Sequence, residues 1–392
     1  MTNKGSRDKY ADERRFFPIM EECIFLDHCT GGIYPTYSRD AMIDYIKRGS
    51  ETGMTFEQFA EYWVYTDSVR NEVAHLFHCT GNDICFGSSS TQLFNIFING
   101  LDLQPGDNVI TSSASHESVP FILLNQRQNG VEVRFVDPIE GVTDPDQIFS
   151  LVDSRTRAIC LNHVEKFNGF RHDLKIYGDF CRSHGIALGI DASHSAGVMY
   201  IDVNEMNVDF VTCSGYKWLM SPLGIGAAYI SPALQKSLKL VDTGWCSEKE
   251  RWNKNVYEPN TRTNACRFEC GGLSIIGLIG LESAVKHYAN LGSSDVQEYV
   301  LSLSDYLYQR VNLYLKEITV YGDIPSSNRS NIVFLSIPEN YGLNEKFMES
   351  KGIRAHCFNK GTLLRIGLHY INNKRDIDSL IAFLSSVEQN NI

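Results

Sequence analysis

Short apolar segments alternate with amphipathic ones through the middle of the chain. Between the apolar runs, Leu174–His184 has the spacing of apolar positions typical of a helix, and Gly185 is a helix-ending residue. This alternation predicts an α/β fold with a mostly parallel sheet and helices on both faces, in which ligands bind beyond the carboxyl ends of the strands. Apolar runs with the length of buried strands occur at 84–86, 108–112, 132–136, 157–161, 186–191 and 209–213.

The pattern changes on both sides of this region. Residues 36–80 have helical periodicity, and so do two long segments at 274–291 and 296–316. From residue 317 onward, shorter patterns predict a small αβ unit that closes with an amphipathic helix at 376–388. The predicted units are an N-terminal segment, 1–35; a large domain, 36–265; and a small C-terminal domain, 266–392.

Composition limits the partners of the chain. Its 392 residues are 43% hydrophobic and 21% charged, as in ordinary globular proteins, and the net charge of −11 argues against nucleic acid or an anionic membrane as a partner. No apolar run reaches the roughly 18–20 residues of a transmembrane helix, and the polar start predicts no signal peptide. Eleven cysteines without a CxxC pair predict free thiols in a reducing cytoplasm and no metal centre.

One lysine stands in unusually apolar surroundings. The segment Asp209–Leu219 begins as a strand, breaks at Ser214, and places Lys217 between Tyr216 and Trp218. Burial disfavours the ammonium form and lowers the lysine pKa, which gives the neutral amine that a Schiff-base lysine requires. The alternative is a surface lysine on a turn between a strand and a loop.

A second segment favours the Schiff-base interpretation of Lys217 over a surface lysine. Ile186–Gly197 ends an apolar run at Asp191, about 26 residues before Lys217, and continues through His194. The two stretches GIDASHSAGVMYIDV and DFVTCSGYKWLMSPLGIGAAYIS resemble the signatures of class V aminotransferases. These enzymes use pyridoxal 5′-phosphate (PLP), have fold type I, and include cysteine desulfurases, selenocysteine lyases, kynureninases and isopenicillin-N-epimerase-like enzymes.

The resemblance implies a PLP-binding large domain with the N-terminal segment lying over the active site. Lys217 would carry PLP as a Schiff base and remove the Cα proton of an amino-acid substrate, and Asp191 would keep the pyridine nitrogen protonated. His116 would stack on the ring, and His194 would bond its 3′-oxygen. The helix start at 87–92 resembles the phosphate loop, since helix N-termini bind anions. The further cofactor contacts implied are Ser90, Thr91, Ser214 and Tyr216.

A subunit interface is also implied by the resemblance. Arg267–Gly272 resembles the family motif RFExGT, whose threonine reaches the phosphate of the neighbouring subunit in dimeric relatives. Gly272 stands at that position, so only its backbone N–H is expected to serve. The resemblance therefore predicts a homodimer.

Three residues are predicted to bind substrate. Gly361–Asn372 resembles a family strand whose arginine holds the α-carboxylate, and Arg365 occupies that position. His28 lies in LDHCTGG, which resembles the family's LDxAA segment, where small residues allow close backbone approach. Asn168 is the nearest substitute for a cofactor-contacting asparagine of the desulfurase branch, because Lys166 stands at that asparagine's position. For a second substrate carboxylate, the sequence offers Arg251, Arg262 and Arg354 without preference.

The reaction type depends on the cysteines. A desulfurase needs a mobile cysteine to take up sulfur, and Cys357 stands close before Arg365, with Cys29 as a weaker candidate. The short gap favours a transaminase or a carbon–sulfur (β-elimination) lyase over a cysteine desulfurase or an epimerase. A PLP-binding regulator without turnover is a further alternative. A dinucleotide-dependent dehydrogenase is disfavoured, because no GxGxxG follows a strand.

Overall fold

The computed structural model describes residues 9–250 and 257–391. The α-helices of these residues are α1 Ile19–Glu22, α2 Thr36–Thr52, α3 Phe56–Leu76, α4 Ser90–Gly100, α5 Ser118–Asn125, α6 Pro145–Phe149, α7 Leu174–His184, α8 Pro232–Ser237, α9 Ile275–Leu291, α10 Ser293–Tyr314, α11 Glu345–Glu349 and α12 Lys374–Asn391. The strands are β1 Ile24–Phe25, β2 Ile84–Gly87, β3 Asn108–Ser112, β4 Glu132–Val136, β5 Thr156–Asn162, β6 Ala187–Asp191, β7 Phe210–Ser214, β8 Gly226–Ile230, β9 Thr319–Val320, β10 Ile332–Ser336, β11 Ile353–Arg354, β12 His356–Phe358 and β13 Leu363–Gly367.

A seven-stranded sheet forms the centre of the molecule, in the order β2-β8-β7-β6-β5-β3-β4. Only β8 runs against its two neighbours, so the carboxyl ends of the other strands meet at one edge. The predicted mostly parallel sheet is therefore confirmed.

Both faces of this sheet are buried, which explains why its strands are continuously apolar. Side chains along a strand point to alternate faces. On β5, Ile159 and Leu161 join one hydrophobic cluster, while Ala158 and Cys160 join the other. Helices cover the two faces, as the alternating pattern predicts.

Helix α4 is held against the sheet by one aromatic contact. The Phe97 ring stacks on Phe210 of β7 with centroids 4.7 Å apart. It also covers Gly189 of β6, where an added Cβ would lie 2.3 Å from the Phe97 ring. A glycine at this point lets the helix approach the strand closely. This packing brings the N-terminus of α4 to the carboxyl edge of the sheet.

A second, antiparallel sheet forms the C-terminal part, in the order β12-β13-β10-β9. The N-terminal segment joins this part, because β1 pairs in parallel with β11 and Asp27 forms a bridge with Gly367. Helix α9 packs against α2 and α3. Contacts therefore cross both predicted domain boundaries, and the bounds 1–35, 36–265 and 266–392 remain a prediction.

Two further sequence expectations concern cysteines and membranes. All eleven cysteines are free thiols, and seven of them are buried. Among the described helices, none combines the length and the apolar character needed to cross a membrane.

The N-terminal segment touches the turn that carries Lys217. The Gly32 N–H donates to the Tyr216 carbonyl at 2.8 Å. A Cβ at Gly32 would lie 2.1 Å from the Lys217 carbonyl oxygen, whereas a Cβ at Gly31 would meet nothing within 4 Å. The expected close backbone approach thus occurs at Gly32.

We expect Gly32→Ala to lower the free energy of unfolding by about 1–3 kcal/mol, because the new methyl group must push two backbone segments apart. Gly31→Ala is the matched control and should change stability by less than about 0.5 kcal/mol. Denaturant titration of both variants measures the difference. Equal stabilities would contradict the close packing of this segment on the Lys217 turn.

Candidate active site

One pocket at the carboxyl edge of the large sheet collects most of the predicted residues. The loops after β2, β3, β5, β6 and β7 all contribute to it, because parallel strands end at the same edge. Every predicted cofactor contact except Gly272 lies in its wall. The pocket is lined by Ser89, Ser90, Thr91, His116, Ser118, Asn162, Asp191, Ser193, His194, Ser214, Tyr216 and Lys217.

Lys217 is buried, with 5% of its surface exposed. Burial is the main cause that lowers its pKa to about 8, and the negative charge of Asp191 opposes this shift. The Lys217 amine lies 3.3 Å from Nε2 of His194, whose own pKa is held well below its usual value by burial and then by the Lys217 charge. A measurable fraction of Lys217 is therefore a neutral nucleophilic amine at neutral pH.

Asp191 ends β6 as a buried carboxylate. Its oxygens accept hydrogen bonds from the Ser193 N–H at 2.8 Å and the Ser118 hydroxyl at 3.4 Å. Within the described residues, none of the ion pairs includes Asp191. A buried carboxylate normally has a cationic partner. Asp191 is therefore suited to receive a protonated ring nitrogen from a ligand.

A row of hydroxyl groups leads from Asp191 toward the start of α4. The Ser90 and Ser214 hydroxyls lie 2.9 Å apart, and Ser193 donates to the Ser214 hydroxyl at 3.3 Å. A Cβ at Gly226 of β8 would lie 3.1 Å from the Ser90 nitrogen, so a glycine there allows the helix start to sit against the sheet edge. Unpaired N–H groups of a helix start, together with Ser90 and Thr91, are suited to a phosphate.

His116 forms one wall of the pocket, with its ring centroid 6.3 Å from that of His194. Its backbone N–H donates to the Asn162 side chain at 2.8 Å. Its Nδ1 accepts from the Ser118 N–H at 3.1 Å, which directs Nε2 toward Glu117. Burial lowers the His116 pKa most, and the Lys217 charge lowers it further. The ring is therefore a neutral, oriented surface on which an aromatic ligand can stack.

Arg365 lies at the centre of β13 with 4% of its surface exposed. Its Nη2 donates to Thr30 at 2.8 Å and to Asp27 at 3.3 Å, while its buried Nε has no partner within the described residues. Its positive charge also contributes to the lowered pKa of Lys217, after burial. A buried donor without a partner next to Lys217 is suited to a substrate carboxylate.

Arg365 is not among the residues that line the pocket, and the other two predicted substrate ligands also lie outside it. His28 is completely buried, and its ring packs 5.0 Å from His369 and 5.7 Å from Trp218. Asn168 is also buried, and its side chain donates to Glu165 and accepts from the Phe170 N–H. His28 packs against aromatic rings, and Asn168 closes its own loop and also lines a neighbouring cavity; their roles as substrate ligands stay predictions.

The remaining predicted residues are Gly272 and three arginines that could bind a second substrate carboxylate. Gly272 is exposed and does not line the pocket of its own chain. Arg262 bonds the Glu248 carbonyl, and Arg354 is exposed beside Glu349. Arg251 lies outside the described residues.

The sequence reasoning missed several pocket residues. Asn162 ends β5, and its position beside Asp191 follows from the register of the two strands. Ser193 follows Asp191 by two residues and bonds back to it. The strand-end rule that selects Asp191 would also have selected Asn162. The partners of Arg365 gave no such signal, because Asp27 and Thr30 are distant in sequence.

These features fit PLP. A phosphate suits the start of α4, a pyridine ring suits the His116 wall, and a protonated ring nitrogen suits Asp191. Lys217 supplies the amine for the covalent bond. Each of these parts has a complementary group in the pocket.

Comparison with known proteins also indicates a family of PLP-dependent enzymes. The family model described as aminotransferase class-V matches residues 34–380. A probable cysteine desulfurase of Methanothermobacter thermautotrophicus is 26% identical, over 94% of this chain and 96% of its own length. A solved C-DES variant, with glycine covalently linked to its PLP cofactor, matches with a TM-score of 0.87 at 20% identity, over 95% of this chain and 98% of its own. The cystine C–S lyase C-DES, in complex with its product cysteine persulfide, matches with a TM-score of 0.86 at 21% identity, over 94% and 99%.

We expect attachment of PLP to Lys217 in the cofactor-free protein to accelerate with pH and to level off above about pH 8, because only the neutral amine reacts. The neutral fraction rises from about 10% at pH 7 to about half at pH 8. Borohydride trapping followed by peptide mass spectrometry measures the adduct. Lys217→Arg is the control and should give no adduct in this peptide. A rate that keeps rising to pH 10 would contradict the lowered pKa.

Proposed function

The chain belongs to the class V aminotransferase family of PLP-dependent enzymes, and we propose that it is a carbon–sulfur β-lyase acting on cystine or a related sulfur amino acid. The supporting observation is the buried amine at Lys217 together with the lack, among the described residues, of a fully exposed cysteine near Arg365. When bound, PLP withdraws electrons from the substrate and weakens the bonds at its Cα.

Lys217 is the proposed base. Its amine has a pKa of about 8 and lies within 3.3 Å of the neutral His194 ring, so it can accept a proton near neutral pH and return it. His194 cannot compete for this proton, since burial keeps its own pKa very low. Asp191 is the proposed partner of the cofactor ring nitrogen.

Arg365 is the proposed carboxylate ligand. Its free Nε, with the Nη2 held by Thr30, presents one edge of the guanidinium in a fixed orientation. Because Asp27 also contacts Nη2, the charge of Arg365 is partly compensated before a substrate arrives. The arrangement selects an anionic group of the size of a carboxylate and sets the direction of the substrate Cα.

Neither nearby cysteine is suited to carry a persulfide. Cys357 is paired with Leu364 within a β-hairpin, its thiol contacts Met348, and burial raises its pKa to about 11. Cys29 is 2% exposed, and burial raises its pKa to about 11 as well. A sulfur acceptor needs a thiolate that can move. Sulfur is therefore expected to leave on a small molecule.

The proposed reaction of cystine balances without an external oxidant or reductant. Lys217 removes the Cα proton, the Cβ–S bond breaks, and its electron pair leaves with sulfur as cysteine persulfide. Addition of one water then gives pyruvate and ammonia. The residues of the chain hold the carboxylate and exclude other water, while the disulfide supplies a good leaving group.

A cysteine desulfurase is the second candidate, because that name is borne by the curated relative from Methanothermobacter. It would convert cysteine to alanine and leave a persulfide on Cys357. A transaminase is the third candidate, since the family name covers it. The three reactions share the Lys217 and Arg365 roles and differ in their products.

We also propose a homodimer, supported by the exposed face of α2 and the start of α3. Only Ser38 and Met42 of α2 are buried, although the helix is 17 residues long. Ile43, Ile46 and Met54 are 42%, 57% and 61% exposed. Exposed large apolar side chains on one helix and the loop after it are a feature of interfaces. Eleven free thiols support a reducing, cytoplasmic location.

We expect the purified holoenzyme to form pyruvate from L-cystine, with cysteine persulfide as the other product, and Cys357→Ala to retain the wild-type rate. Pyruvate, alanine and persulfide are measured by chromatography and mass spectrometry. Ser302→Ala, an exposed site on α10, is the control. Alanine with a persulfide on Cys357, and loss of turnover in Cys357→Ala, would establish a desulfurase instead. Conversion of the cofactor to its amine form would establish a transaminase.

We expect Ile46→Asp to shift the dimer to monomers, because it places a charge in the proposed apolar interface. Leu313→Asp is the matched control, since Leu313 is 71% exposed on α10, far along the chain. Sedimentation velocity measures both. A wild-type protein that sediments as a monomer at all concentrations would contradict the proposal.

A further inference from the structure

We propose that Glu117 and Lys166 form a subsite for the distal amino-acid head of a disulfide substrate such as cystine. This inference rests on the proposed function and names the substrate class of the same site. The distal head of cystine carries one ammonium and one carboxylate. Glu117 would bind the ammonium, and Lys166 would bind the carboxylate.

The two side chains form one ion pair beside the pocket. The Lys166 amine bonds both carboxylate oxygens of Glu117, at 2.8 and 2.7 Å. Glu117 Oε2 also lies 3.9 Å from Nε2 of His116, which is a wall of the pocket. The Lys166 amine lies 4.6 Å from the centre of the Phe167 ring. Both charges are thus held next to the place where a substrate side chain would emerge past His116.

The pair is accessible, and it does not line the Lys217 pocket. The Lys166 and Glu117 side chains are 19% and 41% exposed, whereas Asp191 and Lys217 are nearly fully buried. Lys166 stands where the desulfurase branch carries an asparagine that contacts the cofactor, yet its amine is bound to Glu117 outside the pocket wall. The pair therefore lies beside the His116 wall of the pocket and is partly open to solvent.

A cavity of about 500 Å³ opens beside the same loops. Ala114, two residues before His116, and Phe167 and Asn168, directly after Lys166, lie in its wall. This volume falls within the roughly 300–1,000 Å³ of small-molecule sites. Glu117 and Lys166 do not line this cavity themselves, and it shares no lining residue with the Lys217 pocket, but it gives the second half of a disulfide room beside the pair.

The ion pair can exchange partners on binding. The pair is partly exposed, at 19% for Lys166 and 41% for Glu117, so opening it costs less than opening a fully buried ion pair. A zwitterionic head replaces one pair by two, with Glu117 and Lys166 each keeping an opposite charge nearby. A neutral substrate side chain offers neither charge. The pair thus discriminates between disulfide amino acids and short thioethers.

The test measures binding without turnover, in Lys217→Ala protein loaded with PLP. L-Cystine and S-methyl-L-cysteine are titrated by the change in cofactor absorbance, with Lys166→Met or Glu117→Gln added in the same background. We expect each added substitution to weaken cystine binding about tenfold, equivalent to one charge-assisted hydrogen bond, and to leave S-methyl-L-cysteine unchanged. Lys175→Met, which removes an exposed ion pair with Asp179 on α7, is the matched control.

The proposed subsite would be contradicted if the substitutions weakened the binding of both ligands equally, or of neither. It would also be contradicted if the ligand-free variants had a changed cofactor absorbance, because Lys166 would then contact the cofactor. A double variant with exchanged charges, Lys166→Glu and Glu117→Lys, should recover part of the cystine affinity. The proposed function fails separately, if the wild-type holoenzyme binds cystine but releases no pyruvate.

Discussion

The Lys217 amine lies where parallel strands end and where the N-terminal segment covers the edge of the sheet. Its environment depends on the exclusion of water, because burial is the main cause of its lowered pKa. Two separate parts of the chain provide this exclusion. The turn after β7 places the amine against His194, and Gly32 closes over the Lys217 backbone. The N-terminal segment packs on the backbone of the turn that carries the amine, and this segment is itself held by β11 and β13.

Local patterns in the sequence were enough for the large sheet and for the residues at its strand ends. The predicted bounds of β3, β4 and α7 coincide with the observed ones. Asp191 follows from such a pattern, since a strand with two buried faces is apolar until it ends at the site. The whole wall of the pocket is built from short segments that follow strands, and this is why a linear reading found most of it.

The direction of some predicted side chains depends on contacts that the linear pattern does not show. Asn168 is held by its own loop, through Glu165 and Phe170. His28 follows the short strand β1, and its ring lies against Trp218 and His369, which are distant in sequence. The bond between Arg365 and Asp27 is of the same kind, because it joins residues that meet only when β13 and the N-terminal segment are assembled. The roles of His28 and Asn168 as substrate ligands stay predictions.

The geometry of β12 and β13 bears on where sulfur can go. Cys357 is one residue from the turn 359–361, and Asn359 and Lys360 both have positive φ. A Cβ at Gly361 would lie 1.9 Å from the Leu343 carbonyl, so this turn is also packed from outside. Such a hairpin cannot swing a thiol across several ångströms without breaking its strand pairing. The paired hairpin and the raised pKa of its thiol both favour the proposed lyase over a desulfurase.

Arg365 links substrate binding to the basicity of Lys217. After burial, the Arg365 charge is among the causes that lower the Lys217 pKa, whereas Asp191 raises it. A carboxylate bound to Arg365 compensates that positive charge and so removes part of the lowering. In the proposed function, a substrate bound to Arg365 would therefore act in the direction of a higher Lys217 pKa. Before binding, Asp27 and Thr30 hold the guanidinium and leave Nε unpartnered. The same arginine can therefore orient the substrate and adjust the base that acts on it.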